Sequence, residues 1–211
     1  MTPARLHLVT SDAVLEAPGF LDRAAAVLEA CGPAAALHVR GHGMSGRALY
    51  DVAGALLAVP GRGPLLVNDR VDVALSVGAD GVQLGRRSLP VRQVRRLVGG
   101  DAILGYSAHA AGEAAGVADE GADFVVLGAV YATPSHPGEP GAGTALLEAA
   151  RAVTACPIVA IGGITPERVA AVTAAGARGV AVLSGVWDAD DAVAAAGRYL
   201  AALDAAEGTD G

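Results

Sequence analysis

Short runs of β-branched and leucine-rich residues recur along the chain, separated by longer alanine-rich stretches whose apolar positions fall at helical spacing. Eight runs stand out: "LHLVT", "ALHVR", "PLLVN", "GVQLG", "AILGYS", "FVVLGAV", "PIVAIGG" and "GVAVLSG". Each is too short for a buried helix and reads as a buried strand. The spacing between them predicts helices over 20–31, 47–59, 71–77, 91–98, 112–120, 145–154, 166–175 and 190–203. Thr165 before Pro166 reads as an N-cap followed by proline at the first helical position, and Gly176 reads as the stop.

Eight strand-then-helix units predict an α/β protein, a single-domain (β/α)8 TIM barrel over 1–205 with a flexible tail over 206–211. A doubly wound nucleotide fold is disfavoured, because no GxGxxG follows the first strand. One connection is long. The stretch 131–143, "YATPSHPGEPGAG", is dense in Gly and Pro and reads as a loop over an active site.

Composition narrows the function. A chain of 211 residues, 53% hydrophobic, is long enough for one full core. The net charge of -7 and an aromatic content of 3% argue against a nucleic-acid surface. Cys31 and Cys156 are too few for a disulfide framework or a zinc cluster. No apolar run reaches the length of a membrane span and no leader pattern opens the chain, so a cytoplasmic protein is expected. All 15 basic residues are arginine, which excludes Schiff-base chemistry and a P-loop lysine.

In such a barrel the chemistry lies at the C-terminal ends of the strands. There the sequence places Arg40 and His42, Asn68 and Asp69, Ser88, Ser107 and His109, and then Thr133, Ser135 and His136 in the long loop. Strands seven and eight end in "IGG" and "LSG", so Gly162, Gly163, Ser184 and Gly185 are candidates for binding a phosphate through backbone amides. Asp69 has a second reading as a helix cap, His109 as a hydrogen-bonding residue at a helix start, and His7 as a satisfied interior histidine.

The stretches "LLVNDRVDVALSVGADGVQLG", "LGYSAH", "ATPSHPG" and "PIVAIGGITPE…GARGVAVLSG" resemble the thiamine phosphate synthase superfamily, which includes the thiazole tautomerases. In the synthase, the resemblance implies, Mg²⁺ and cationic side chains stabilise a departing pyrophosphate while a thiazole nitrogen captures a pyrimidine-methyl cation. The family pattern after strand two is Arg-Glu-Lys, where this chain has Arg40, Gly41 and His42. The family's metal-binding Asp after strand four is matched by Ser88, and its loop lysine by His136.

These departures point to the tautomerase branch, an isomerase that aromatises a thiazole carboxylate phosphate by proton transfer. Tautomerases carry a histidine where this chain has Ala129, so His136 is the expected acid/base, with His109 and Asp69 completing the catalytic set. His38, Arg40, His42, Asn68, Ser107, Thr133 and Ser135 are expected to bind substrate. No metal or other cofactor is expected on this reading, and Mg²⁺ on the synthase alternative. A non-catalytic phosphate-ligand sensor is the alternative of another class. The expected partner is a small phosphorylated thiazole, with no nucleic acid and no membrane, and homo-oligomerisation is left open.

Overall fold

The eight apolar runs become β1 (Leu6–Val9), β2 (Ala35–Val39), β3 (Leu65–Asn68), β4 (Gly81–Leu84), β5 (Ile103–Ala108), β6 (Phe124–Leu127), β7 (Ile158–Ile161) and β8 (Gly179–Val182). In the computed structural model, which describes residues 4–134, 138 and 140–208, they pair in chain order, all parallel, and β8 pairs with β1 to close a barrel. This is the single-domain (β/α)8 fold expected from the alternation of elements.

The helices Phe20–Cys31, Val71–Val77 and Val91–Val98 have the expected bounds. The segment expected as one helix over 166–175 divides into a 3-10 turn, Pro166–Arg168, and the helix Val169–Ala174. Thr165 precedes that turn in extended conformation but makes no side-chain cap bond. Gly176 does end the helix, at φ +101°, and the Ala177 N–H donates to the Val172 carbonyl at 3.0 Å. Two helices of four residues, Asp12–Leu15 and Ser184–Trp187, lie at the barrel mouth and are too short for periodicity to reveal. None of the described helices is long and apolar enough to cross a membrane.

Alternation along the strands separates two cores. Leu6 and Leu8 pack outward beneath the helices, whereas Val9 joins Ala36, Leu66, Phe124, Val126, Val159 and Ala181 inside the barrel. The N-terminal face is held by a repeated device. Asp80 accepts from the Leu65 N–H at 2.7 Å and pairs with Arg62 at 2.5 Å. Asp123 accepts from the Leu104 N–H at 2.7 Å and pairs with Arg95 at 2.6 Å. These acids fasten strand starts on the face opposite the candidate site.

Inside, three rings fill the floor: the His7 centroid lies 4.9 Å from that of Phe124 and 5.0 Å from that of His38. Glycine makes room for them. A Cβ on Gly105 would come within 2.4 Å of Phe124 Cζ and 2.1 Å of Gln83 Oε1. The His7 ring reaches the His38 Nε2 at 2.7 Å and the Ala4 carbonyl at 2.9 Å.

Burial pushes the His7 pKa down from 6.5 to about 4, against the opposing pull of the Ala4 carbonyl. Burial, and then the neighbouring His7, carry His38 well below the usual range. The unfolded chain therefore binds more protons than the folded one below the ordinary value of 6.5, and stability is lost as the pH falls through that window. His7 alone accounts for about 2 kcal/mol between pH 7 and pH 5. The melting temperature at pH 5 is expected several degrees below that at pH 7. Calorimetry at the two pH values checks this, and equal melting temperatures would contradict it.

Candidate active site

The C-terminal ends of the strands enclose a cavity of about 320 Å³ whose walls differ in chemistry. On the β2–β5 side it is lined by His38, Arg40, Asn68, Gln83, Ser107 and His109. On the β6–β8 side the lining is mostly apolar or glycine, including Val126, Ala129, Ile161, Gly162 and Ala181, with Thr133 and Ser184 as polar exceptions. A more open depression of about 530 Å³ lies between the helices Gly46–Leu57 and Val71–Val77. It sits on the outer wall, carries the surface pair of Arg70 and Asp72, and is remote from the strand ends.

The phosphate-binding candidates come together on the glycine side. Gly162 and Gly163 have φ of +100° and +61°, and neither donates a backbone hydrogen bond among the described turns and caps. Their N–H groups are free to meet an anion. Side chains are excluded there: a Cβ on Gly162 would lie 2.6 Å from the Ala129 Cβ, and one on Gly163 2.4 Å from the Ala132 carbonyl. Ser184 and Gly185 open the short helix beside them. Beneath Gly185 lies the Tyr199 hydroxyl, which donates to the Ile164 carbonyl at 3.0 Å and would meet a Gly185 Cβ at 2.2 Å.

The polar side is braced by the backbone. The fully buried Thr10 hydroxyl accepts from the Arg40 N–H at 2.8 Å and donates to the His38 carbonyl at 3.0 Å, which fixes the end of β2. The Arg40 guanidinium makes no hydrogen bond or ion pair with the described residues. The Asp12 carboxylate accepts from the His42 and Gly43 amides at 3.2 and 2.8 Å, strapping the following loop. Neither Asp12 nor Thr10 carries a motif; both do their work through backbone contacts that only the fold creates.

Asp69 is the strained residue of the site, the one described non-glycine residue at positive φ, +61°. The Arg70 N–H closes a tight turn on the Asn68 carbonyl at 2.7 Å. Asp69 does not cap the next helix, whose N-cap is Arg70 with no side-chain bond. Its carboxylate instead accepts the Ser88 hydroxyl, and its second oxygen lies 3.8 Å from His42 Nδ1. Ser88 Oγ in turn accepts from the Gly85 N–H at 2.8 Å, so the β4 turn and the β3 turn form one corner at the rim. Arg86 pairs with Glu113 at 3.3 Å on the surface, and neither it nor Arg87 lines the cavity.

Glu113 also accepts from the Tyr106 hydroxyl at 3.1 Å and the His109 N–H at 2.9 Å. The His109 Nδ1 donates to the Gly128 carbonyl at 2.9 Å, which fixes the ring against the end of β6. Ser107 accepts from the Gln83 amide at 2.9 Å. Thr133 lines the cavity, and Ser135 and His136 lie outside the described residues.

The fold and site together define a closed (β/α)8 barrel with a glycine nest at the ends of β7 and β8 and a polar wall carrying Arg40 opposite. The family described as TMP-TENI, thiamine monophosphate synthase, matches residues 6–186, and the chain belongs to that family. A thiamine-phosphate synthase from Methanoculleus marisnigri is 41% identical over 194 residues, 90% of this chain and 91% of that protein. A bifunctional thiamine biosynthesis protein, ThiM/ThiE, from Symbiobacterium thermophilum is 50% identical over 146 residues, 68% of this chain; the match spans 30% of that longer protein. Among solved structures, the thiamine phosphate pyrophosphorylase from Pyrococcus furiosus is 30% identical, covers 96% of both chains and superposes with a TM-score of 0.83.

These relatives overturn the tautomerase expectation. Those matching at 40–44% identity over most of this chain are named thiamine-phosphate synthase. The site is consistent with this, because Ala129 brings no acid/base group to the wall beside Gly162.

The nest makes a testable demand. Inorganic phosphate is expected to raise the melting temperature by mass action and to perturb the fluorescence of Trp187, the only tryptophan, at the end of the Ser184–Trp187 helix. Gly185→Ala pushes on Tyr199 and is expected to weaken phosphate binding by about tenfold or more, the equivalent of one lost hydrogen bond to a charged group. A titration in which the variant binds as the unmodified protein does would count against the nest.

Proposed function

We propose that the chain is a thiamine phosphate synthase, a transferase that joins hydroxymethylpyrimidine diphosphate to thiazole phosphate and releases pyrophosphate. The observation that carries this reading is the division of the cavity into a glycine nest on one side and a polar wall with the unpaired Arg40 guanidinium on the other, where Asn68 leads into the turn that holds Asp69 against Ser88. Two phosphorylated substrates need two separate anion sites. In the reaction the bond from the pyrimidine methylene carbon to the diphosphate oxygen breaks, and the thiazole nitrogen supplies the electron pair for the new bond. No proton changes place, so the alanine at 129 is no defect for this chemistry.

The nest holds the thiazole phosphate, and the Val126 and Ile161 side supports the ring face. Arg40 carries a permanent charge and faces the departing diphosphate. The family's synthases employ Mg²⁺, which neutralises charge on the leaving oxygens when bound. Among the described residues no group of three or more His, Cys, Asp or Glu could hold a metal. Asp69 supplies one carboxylate, with Ser88 beside it, and that set fits Mg²⁺ in the form that takes its other oxygens from diphosphate and water.

Incubating the protein with both substrates and Mg²⁺ is expected to yield thiamine phosphate and pyrophosphate in equal amounts. Substrate binding without either product would instead favour a ligand sensor. Calorimetry is expected to show Mg²⁺ binding only when diphosphate is present, whereas tight binding to the free protein would refute the shared site.

Asp69→Asn tests the corner separately. Asparagine tolerates positive φ and still accepts from Ser88, so the melting temperature is expected to stay within a few degrees. Turnover is expected to fall by about 10² to 10³, the scale of losing one electrostatic group aimed at developing charge.

A further inference from the structure

Two buried histidines stand one above the other in the barrel, and the mechanism above uses neither. The Ala4 carbonyl can only accept, so the His7 Nε2 at 2.9 Å carries a hydrogen. Both rings are more than nine-tenths buried, and burial keeps them neutral. The His7 Nδ1 is then bare and accepts from the His38 Nε2–H at 2.7 Å. One proton per ring leaves the His38 Nδ1 bare as well.

That nitrogen has no hydrogen-bond partner among the described residues. It is also absent from the sealed polar atoms that lack a hydrogen-bond partner among the described residues, which include Asn68 Oδ1 and Gln83 Oε1. Since His38 lines the cavity and His7 does not, Nδ1 is where the pair meets the ligand space. Asn68 lines the same wall with its carbonyl oxygen unpaired.

We infer that His7 is a positioning residue which, through its bond to the Ala4 carbonyl, locks the His38 tautomer, so that the cavity floor presents a bare acceptor and selects a heterocycle whose edge donates a hydrogen bond. On the synthase reading, on which this choice of ligand rests, that edge is the exocyclic amine of the pyrimidine substrate. A ring offering only acceptors there would face the His38 lone pair with no proton between them. Gln83 contributes nothing to this selection, because its oxygen is turned toward Gly105 and its nitrogen is spent on Ser107.

The test separates the lock from the activity. Imidazole nitrogen NMR of the unliganded protein at neutral pH is expected to show His38 with a protonated Nε2 and a bare Nδ1; the reverse tautomer, or a rapid exchange of both, overturns the proposal without reference to turnover. Binding of the aminopyrimidine diphosphate, measured by calorimetry, is expected to exceed that of its analogue with hydrogen in place of the amine by at least about tenfold. His7→Gln keeps a donor for Ala4 and an acceptor for His38, so it is expected to preserve that ratio. His7→Phe removes both and is expected to bring the ratio close to one while phosphate binding at the nest stays unchanged. If His7→Phe does not fold, the NMR result and His7→Gln decide. An unchanged ratio in a folded His7→Phe protein overturns the lock. A protein that shows the expected tautomer and ratio but makes no thiamine phosphate keeps the lock and loses the synthase reading.

Discussion

Closing eight parallel strands fixes the volume of the interior, and the site is arranged around that limit. The barrel holds Phe124 and two histidine rings only because β5 offers Gly105 where any side chain would strike Phe124 and Gln83. With the floor filled by rings, the space above it is left as the ligand cavity. The same closure determines which strands face each other across the mouth. The glycines of β7 and β8 therefore stand opposite the polar ends of β2 to β5, with backbone N–H groups on one side and Arg40 on the other.

Stability and chemistry occupy opposite ends of the barrel. Asp80 and Asp123 secure strand starts on the N-terminal face, each through a backbone amide and an arginine. At the C-terminal face the backbone is bent instead. Asp69 sits in the left-handed region, and the glycines at 162 and 163 take conformations closed to most residues. The strain at Asp69 is supported by the Ser88 hydroxyl, which joins two turns.

The strands and three helix bounds were legible because period and punctuation agree over these segments, and the glycines of "IGG" and "LSG" announced their place at the strand ends. What could not be read was set by contacts distant in sequence. The Thr10 brace on β2, the Asp12 strap and the His7 to His38 bond join residues about thirty positions apart, and no local pattern marks them. Asp69 shows the limit most clearly: "NDR" before an apolar helix suits an N-cap, yet the carboxylate turns to Ser88, nineteen positions on. Four residues of helix at Ser184–Trp187 leave no periodic trace, although the sole tryptophan there donates to the Val9 carbonyl at 2.8 Å and ties β8 to β1.

The branch was misread for a reason of charge. Gly41 for glutamate and His42 for lysine in the loop after β2, Ser88 for aspartate after β4 and His136 for lysine in the long loop look, taken singly, like the loss of the synthase's electrostatics. Taken together, two acids and two lysines are absent. In a formal count that leaves histidine uncharged, these positions, Arg40 included, sum to the same charge as in the family pattern. An anionic leaving group responds to the summed field of the groups around it as well as to each contact. A balanced exchange therefore keeps the field while lowering the number of charges that must be desolvated. Fewer carboxylates need fewer cations to offset them, and the permanent charge of Arg40 is left unopposed by a neighbouring glutamate. On the proposed synthase reading the departures describe a site with fewer fixed charges, one that relies more on the oxygens its substrate brings.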